Sequence, residues 1–169
     1  ERALAQGAHM RTPGRAETLW GASWLAAHQS DYAQALALAQ EGLELARDLS
    51  DQRLIGLLLE SVADGLYRFG DNERAIQCVE ESLDIFRNLG DREETAWALD
   101  HLARGLRQRG ERARSRALVR ESLAIFRELG HHYAIASSLG HAARLALEDD
   151  DNAAAAELLA EGLALARMM

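Results

Sequence analysis

Lysine is missing from this chain: all 19 basic residues are arginine, set against 27 Asp and Glu for a formal net charge of −8. An acidic surface disfavours direct contact with nucleic acid, whose phosphates are met by excess positive charge. Cysteine is used once, at Cys78, which excludes a disulfide within the chain and leads us to expect a reducing, cytoplasmic setting. Proline also occurs once, at Pro13, and no alternating runs of Val, Ile or Thr are found, so nothing argues for strands. No apolar run approaches the roughly 20 residues of a membrane helix, and no signal-peptide pattern is present. Also absent are Gly-x-x-x-x-Gly-Lys and a Gly-x-Gly-x-x-Gly following a strand, the loops that cradle nucleotide phosphates. No cofactor is expected, and an enzyme is the least favoured reading.

What remains is mostly alanine and leucine: hydrophobic residues make up 48% of the chain while aromatics make up 5%. Strong helix formers without strand formers predict an all-α fold. Shifting the chain by 40 residues against itself aligns Glu41-Gly42-Leu43, Glu81-Ser82-Leu83, Glu121-Ser122-Leu123 and Glu161-Gly162-Leu163 without a gap, with Arg47, Arg87, Arg127 and Arg167 in a second column. Four copies in register point to a repeat array. Breaks recur at Gln29-Ser30-Asp31, Phe69-Gly70-Asp71, Arg109-Gly110-Glu111 and Asp149-Asp150-Asp151, and again at Leu49-Ser50-Asp51, Leu89-Gly90-Asp91 and Leu129-Gly130-His131. Glycine suits a left-handed helix end and an acidic residue suits the next helix start. Each repeat therefore reads as a helical hairpin, with first helices at 15–29, 52–69, 92–109 and 132–148 and second helices at 32–49, 72–89, 112–129 and 152–167. The repeats span 15–51, 52–91, 92–131 and 132–169, and residues 1–14 form a linker and the tail of a preceding repeat, since Glu1 falls in the same Glu column. Gly7-Ala8-His9-Met10 is taken as native. The chain begins without Met inside what reads as a helix, so it is expected to be a piece of a longer protein.

Within each first helix, large and small residues recur at helical spacing: Leu19, Ala22, Ser23, Ala26; Leu59, Val62, Ala63, Leu66; Leu99, Leu102, Ala103, Leu106; and Leu139, Ala142, Ala143, Ala146. The second helices carry Ala35, Ala39, Gly42; Ala75, Val79, Ser82; Ser115, Val119, Ser122; and Ala155, Leu159, Gly162. Small residues let helices cross closely while large ones fill the space between. These columns resemble the tetratricopeptide signature, although its usual Trp and Tyr are replaced by Leu and smaller residues and its closing Pro by the repeated Arg. The 40-residue period is similar to the variant found in large bacterial ATP-dependent regulators of the LuxR and AfsR-like type. That resemblance implies a right-handed superhelical solenoid of antiparallel helix hairpins, about four repeats long. It implies a non-catalytic scaffold that holds a protein or peptide segment, including flanking domains of its own parent protein.

Residues that could suggest chemistry have simpler readings. Cys78 shares a column with Leu38, Leu118 and Leu158 and is expected to pack in the core. His101 and His141 share a column and His131-His132 lie in a turn, but they do not converge on one point as zinc ligands must, so they read as surface histidines and no metal is expected. Glu60 with Asp64, and Glu148 with Asp149 to Asp151, read as solvated or partner-facing charges, because a catalytic pair needs burial that separates the two pKa values. Arg104, Arg107, Arg109, Arg112, Arg114, Arg116 and Arg120 form the one basic stretch, which reads as a solvated face or a contact for an acidic partner.

Trp20, Trp24 and Trp97 lie off the packing stripe, on the face that a tetratricopeptide superhelix turns toward its concave groove. Tyr67, Asp100, Arg104 and Arg107 share that face. These positions differ between repeats while the packing columns do not, which is expected of a surface selected for a ligand, and Trp, Tyr and Arg dominate binding hot spots. Asp100 and Arg104, four apart, are expected to pair when the groove is empty. The competing reading is that Trp20 and Trp24 cover the end of the array. The functional rival is an inducer-sensing domain in which Trp20, Trp24, Tyr67 and Trp97 cage a small molecule, which a closed apolar cavity would favour. The Ala- and Leu-rich last helix should expose an apolar stripe and associate with a second copy.

Overall fold

The computed structural model describes residues 12–168, so the readings made for residues 1–11 and for Met169 lie outside the described residues. Among the described residues eight helices follow one another: α1 Pro13–His28, α2 Tyr32–Asp48, α3 Gln52–Arg68, α4 Asn72–Leu89, α5 Arg92–Gln108, α6 Arg112–Leu129, α7 His132–Leu147 and α8 Asn152–Ala166. No strand occurs among the described residues. The ends agree with the sequence-predicted ones to within two residues.

Local chemistry explains these ends. The carboxylates of Asp31, Asp51, Asp91 and Asp151 accept the backbone N–H of Gln34, Leu54, Glu94 and Ala154, satisfying one orphan donor at each helix start. Asp71 does the same for Arg74. His131 caps α7 through Nδ1, which accepts the Ala134 N–H at 3.3 Å and so carries no proton. The residue preceding each cap is left-handed. Gly70, Gly90, Gly110 and Gly130 have φ between 67° and 88°, and Ser30, Ser50 and Asp150 adopt φ of 63°, 57° and 61° in the same place.

By its packing the chain forms two compact units, one ending at Leu89 and the other starting at Gly90. The first holds α1 to α4 and the second α5 to α8. In both, each helix packs on the next, and the first helices of neighbouring repeats also touch, α1 on α3 and α5 on α7. Their second helices, α2 and α4 or α6 and α8, do not. The first helices therefore stand on the inner side of each unit and the second helices on the outer side.

The packing columns form the core. Leu19, Leu59, Leu99 and Leu139 are at most 1% exposed, and the small column of Ser23, Ala63, Ala103 and Ala143 is equally covered. A Cβ added at Gly56 would lie 2.6 Å from the ring of Phe86, and one at Gly42 would lie 2.9 Å from Leu58. Where the second-helix small residue is serine its hydroxyl is satisfied: Ser115 and Ser122 of α6 donate to the carbonyls of Ala103 and Ala96 on α5 at 2.7 and 2.8 Å. The last helix departs from this pattern. Leu159 and Leu163 are more than half exposed, whereas Val79, Val119, Leu83 and Leu123 in the same columns are buried.

Outside the core, the repeated Glu and Arg columns meet each other. Arg47 of α2 pairs with Glu81 of α4 at 2.9 Å, and Arg127 of α6 with Glu161 of α8 at 2.6 Å. These pairs bridge second helices whose backbones do not approach each other closely.

Candidate functional site

The expected groove residues fall into two groups, one in each unit. On α1 in the first unit, Trp24 is 57% exposed and stacks on His28, with ring centroids 3.8 Å apart. The His28 Nδ1–H donates to the Trp24 carbonyl at 2.9 Å, which holds the stack against the helix end. Trp20 is half-buried and lines a cavity of about 360 Å³ that opens to solvent. From α1 the cavity is lined by Glu17, Trp20 and Gly21, and from the start of α3 by Asp51, Arg53, Leu54 and Leu57. Tyr67, near the end of α3, is half-buried.

In the second unit the expected groove residues are tied up in the fold. Trp97 is half-buried and packs edge-on against the buried Phe126, centroids 4.9 Å apart, with His131 and Tyr133 near 6 Å. Asp100, expected at the ligand-facing surface and paired with Arg104, is 1% exposed. Its Oδ2 lies 2.8 Å from Nδ1 of His141 on α7. The two atoms are not aligned as a linear hydrogen bond, so the contact is a close polar approach, and Oδ1 has no hydrogen-bond partner among the described residues. Arg104 is half-buried. Arg107 pairs with Glu148 at the end of α7, with both side chains largely covered.

Several other expectations are corrected. Glu60, read as a solvated charge, is buried, and the Ser82 hydroxyl donates to it at 3.5 Å, because α4 closes over this face of α3. Glu148 and Asp149 are not free acidic residues at a helix end: Glu148 binds Arg107 and Arg112, and Asp149 binds Arg112 and Arg116. Much of the basic stretch thus meets an acidic partner inside the chain, and Arg109 and Arg114 likewise flank Glu111. Those two guanidinium groups hold the Glu111 carboxyl below its ordinary pKa. His131 and His141 are structural, one a helix cap and the other the partner of Asp100. Cys78 is half-buried and not fully in the core, and burial, helped by the nearby Glu81 carboxylate, raises its thiol pKa. Among the described residues no group of three or more His, Cys, Asp or Glu could hold a metal ion, and no helix is long and apolar enough to cross a membrane.

Glu17, Arg53, Leu54 and Leu57 were not singled out from the sequence, although Glu17, Trp20 and Gly21 are spaced i, i+3, i+4 and so share a helix face. That spacing was the available signal.

The fold is similar to several solved structures. BtubC from P. vanneervenii superposes with a TM-score of 0.78 over 99% of this chain and 69% of its own, at 22% identity. The apo form of RapI gives 0.84 at 15% identity over 98% of this chain, which spans only 61% of RapI. A Podosopora anserina protein of nearly identical TPR-like repeats gives 0.69 at 16% identity, covering 97% of this chain and 81% of that one. No curated protein matches the chain in sequence. The chain has the fold of a helical-repeat solenoid, and residues 54–128, its middle repeats, match the tetratricopeptide repeat family.

Proposed function

We propose that this chain is a non-catalytic scaffold that holds a protein or peptide segment on the inner side of its first helices, as the regulatory repeat region of a larger bacterial signalling or transcription-regulating protein. The observation that carries this reading is the separation of surface from core in the first unit. Trp24 is 57% exposed and Trp20 lines an open cavity, while Leu19 and Ser23 on the same helix are buried. An exposed aromatic that is not needed for packing is the kind of residue that becomes a binding hot spot. The expected contact residues remain Trp20, Trp24, Tyr67, Trp97, Asp100, Arg104 and Arg107, with those of the second unit also serving its fold. Titrating the native partner, or flanking domains supplied in trans, against Trp24→Ala should show affinity weakened by about 2 kcal/mol with the melting curve preserved. A variant that unfolds, or one that binds as the parent does, would remove Trp24 from the site.

The second reading, sensing of a small-molecule inducer, draws on the cavity beside Trp20, whose volume lies in the range of ligand pockets. It is weakened by the open mouth and by the charged Glu17, Asp51 and Arg53 on the wall. Copies are also proposed to associate through α8 in the cytoplasm, since Leu159 and Leu163 leave an apolar stripe uncovered. Sedimentation showing a strict monomer at high concentration would count against that association.

A further inference from the structure

We propose that the cavity between α1 and α3 receives a basic side chain, arginine or lysine, of an extended partner peptide. This rests on the reading of the chain as a peptide-holding scaffold and adds which residue type it selects. The wall is built for a long side chain ending in positive charge. Leu54 and Leu57 of α3 are buried and offer an apolar floor to the methylenes of such a residue. The half-buried indole of Trp20 offers an electron-rich ring to a cation. Glu17, one turn before Trp20, is exposed and has no hydrogen-bond or ion-pair partner among the described residues, so its carboxylate is available to a ligand. Asp51 adds a second carboxylate, with Oδ1 occupied by the Leu54 N–H. Arg53 is the one cation on the wall, and it has a partner of its own. Gly21 leaves the space beside Trp20 open, since a Cβ placed there would meet nothing within 4 Å. An acidic side chain would be repelled by two carboxylates, and a neutral one would gain only the apolar contact.

The test uses the whole chain, labelled with ¹⁵N, and three acetylated pentapeptides Ala-Ala-X-Ala-Ala with arginine, its neutral isostere citrulline, or glutamate at X. The arginine peptide is expected to shift the Trp20 indole N–H and the Gly21 amide with an affinity about fivefold above citrulline, and the glutamate peptide to shift neither. Glu17→Gln should bring the arginine and citrulline affinities together. Gly21→Leu places a good helix former where nothing obstructs it, so it should fold while filling the cavity and abolish both shifts. The proposal is overturned if arginine and citrulline bind alike, if Gly21→Leu leaves the arginine shifts unchanged, or if no pentapeptide moves these two signals. In any of those cases, a native partner whose binding still depends on Trp24 would leave the scaffold reading standing without this pocket.

Discussion

At the scale of single residues, the helix ends show what each side chain is asked to do. Ser50 and Asp150 hold the left-handed conformation that Gly70, Gly90, Gly110 and Gly130 adopt at equivalent breaks, and an L side chain is strained there. Replacing Ser50 or Asp150 with Gly is expected to raise stability by up to about 1 kcal/mol, read from thermal melting; a drop in melting temperature for both would show that the strain is negligible. Asp100 poses the opposite problem, because a covered carboxyl group needs a polar partner. His141→Ala should therefore destabilise the chain by roughly 1–3 kcal/mol, and adding Asp100→Leu should recover part of the loss by removing the stranded polar group. Equal stability of the single variant and the parent would mean that the pair is dispensable. At Cys78 the sign follows from burial. A thiol pKa raised in the fold means that the folded chain keeps this proton to higher pH than the unfolded chain does. The stability it contributes is complete below the unfolded thiol pKa and is lost as pH rises above it. Alkylation by iodoacetamide should accordingly show a pH midpoint above that of the urea-unfolded chain, and a midpoint at or below it would contradict the burial argument.

At the scale of helices, close crossings are set by the small columns. Ala63→Leu or Ala103→Leu should overpack the crossing and destabilise by roughly 1–3 kcal/mol, as should Gly56→Ala, whose new methyl group would enter the ring of Phe86. Melting curves indistinguishable from the parent for all three would remove these columns from the core. Helices of this kind were legible in the sequence because a 40-residue register, an acidic cap and a left-handed residue all mark the same boundaries. The candidate site was less legible for a physical reason. A column fixes which face of a helix a side chain occupies, not how deeply the neighbouring helix covers it. Half-buried Trp20, buried Glu60 and buried Asp100 share one column, yet their environments differ because α4 supplies Ser82 to Glu60 and α7 supplies His141 to Asp100. Trp97 likewise became part of the packing once Phe126 lay across it. The Arg and Glu columns were visible as repeats, but their 34-residue pairing needed two helices to be placed side by side.

At the scale of the whole molecule, each unit has an inner row of first helices in direct contact and an outer row bridged by long side chains. Because the bridging pairs are about half exposed, solvent screens them, and the coupling of Arg47 with Glu81 in a double-mutant cycle should stay below about 1 kcal/mol and shrink toward zero in 1 M salt. A coupling well above that, or one indifferent to salt, would mean that the outer row is held more firmly than its exposure allows. The asymmetry makes each unit mechanically one-sided. The packed inner row acts as the hinge line, and the outer row acts as a set of slack tethers whose long arms can stretch or release one by one. Strain applied to a unit is therefore met first by weak, solvent-screened contacts on its outer row, while the directly packed inner row keeps its spacing.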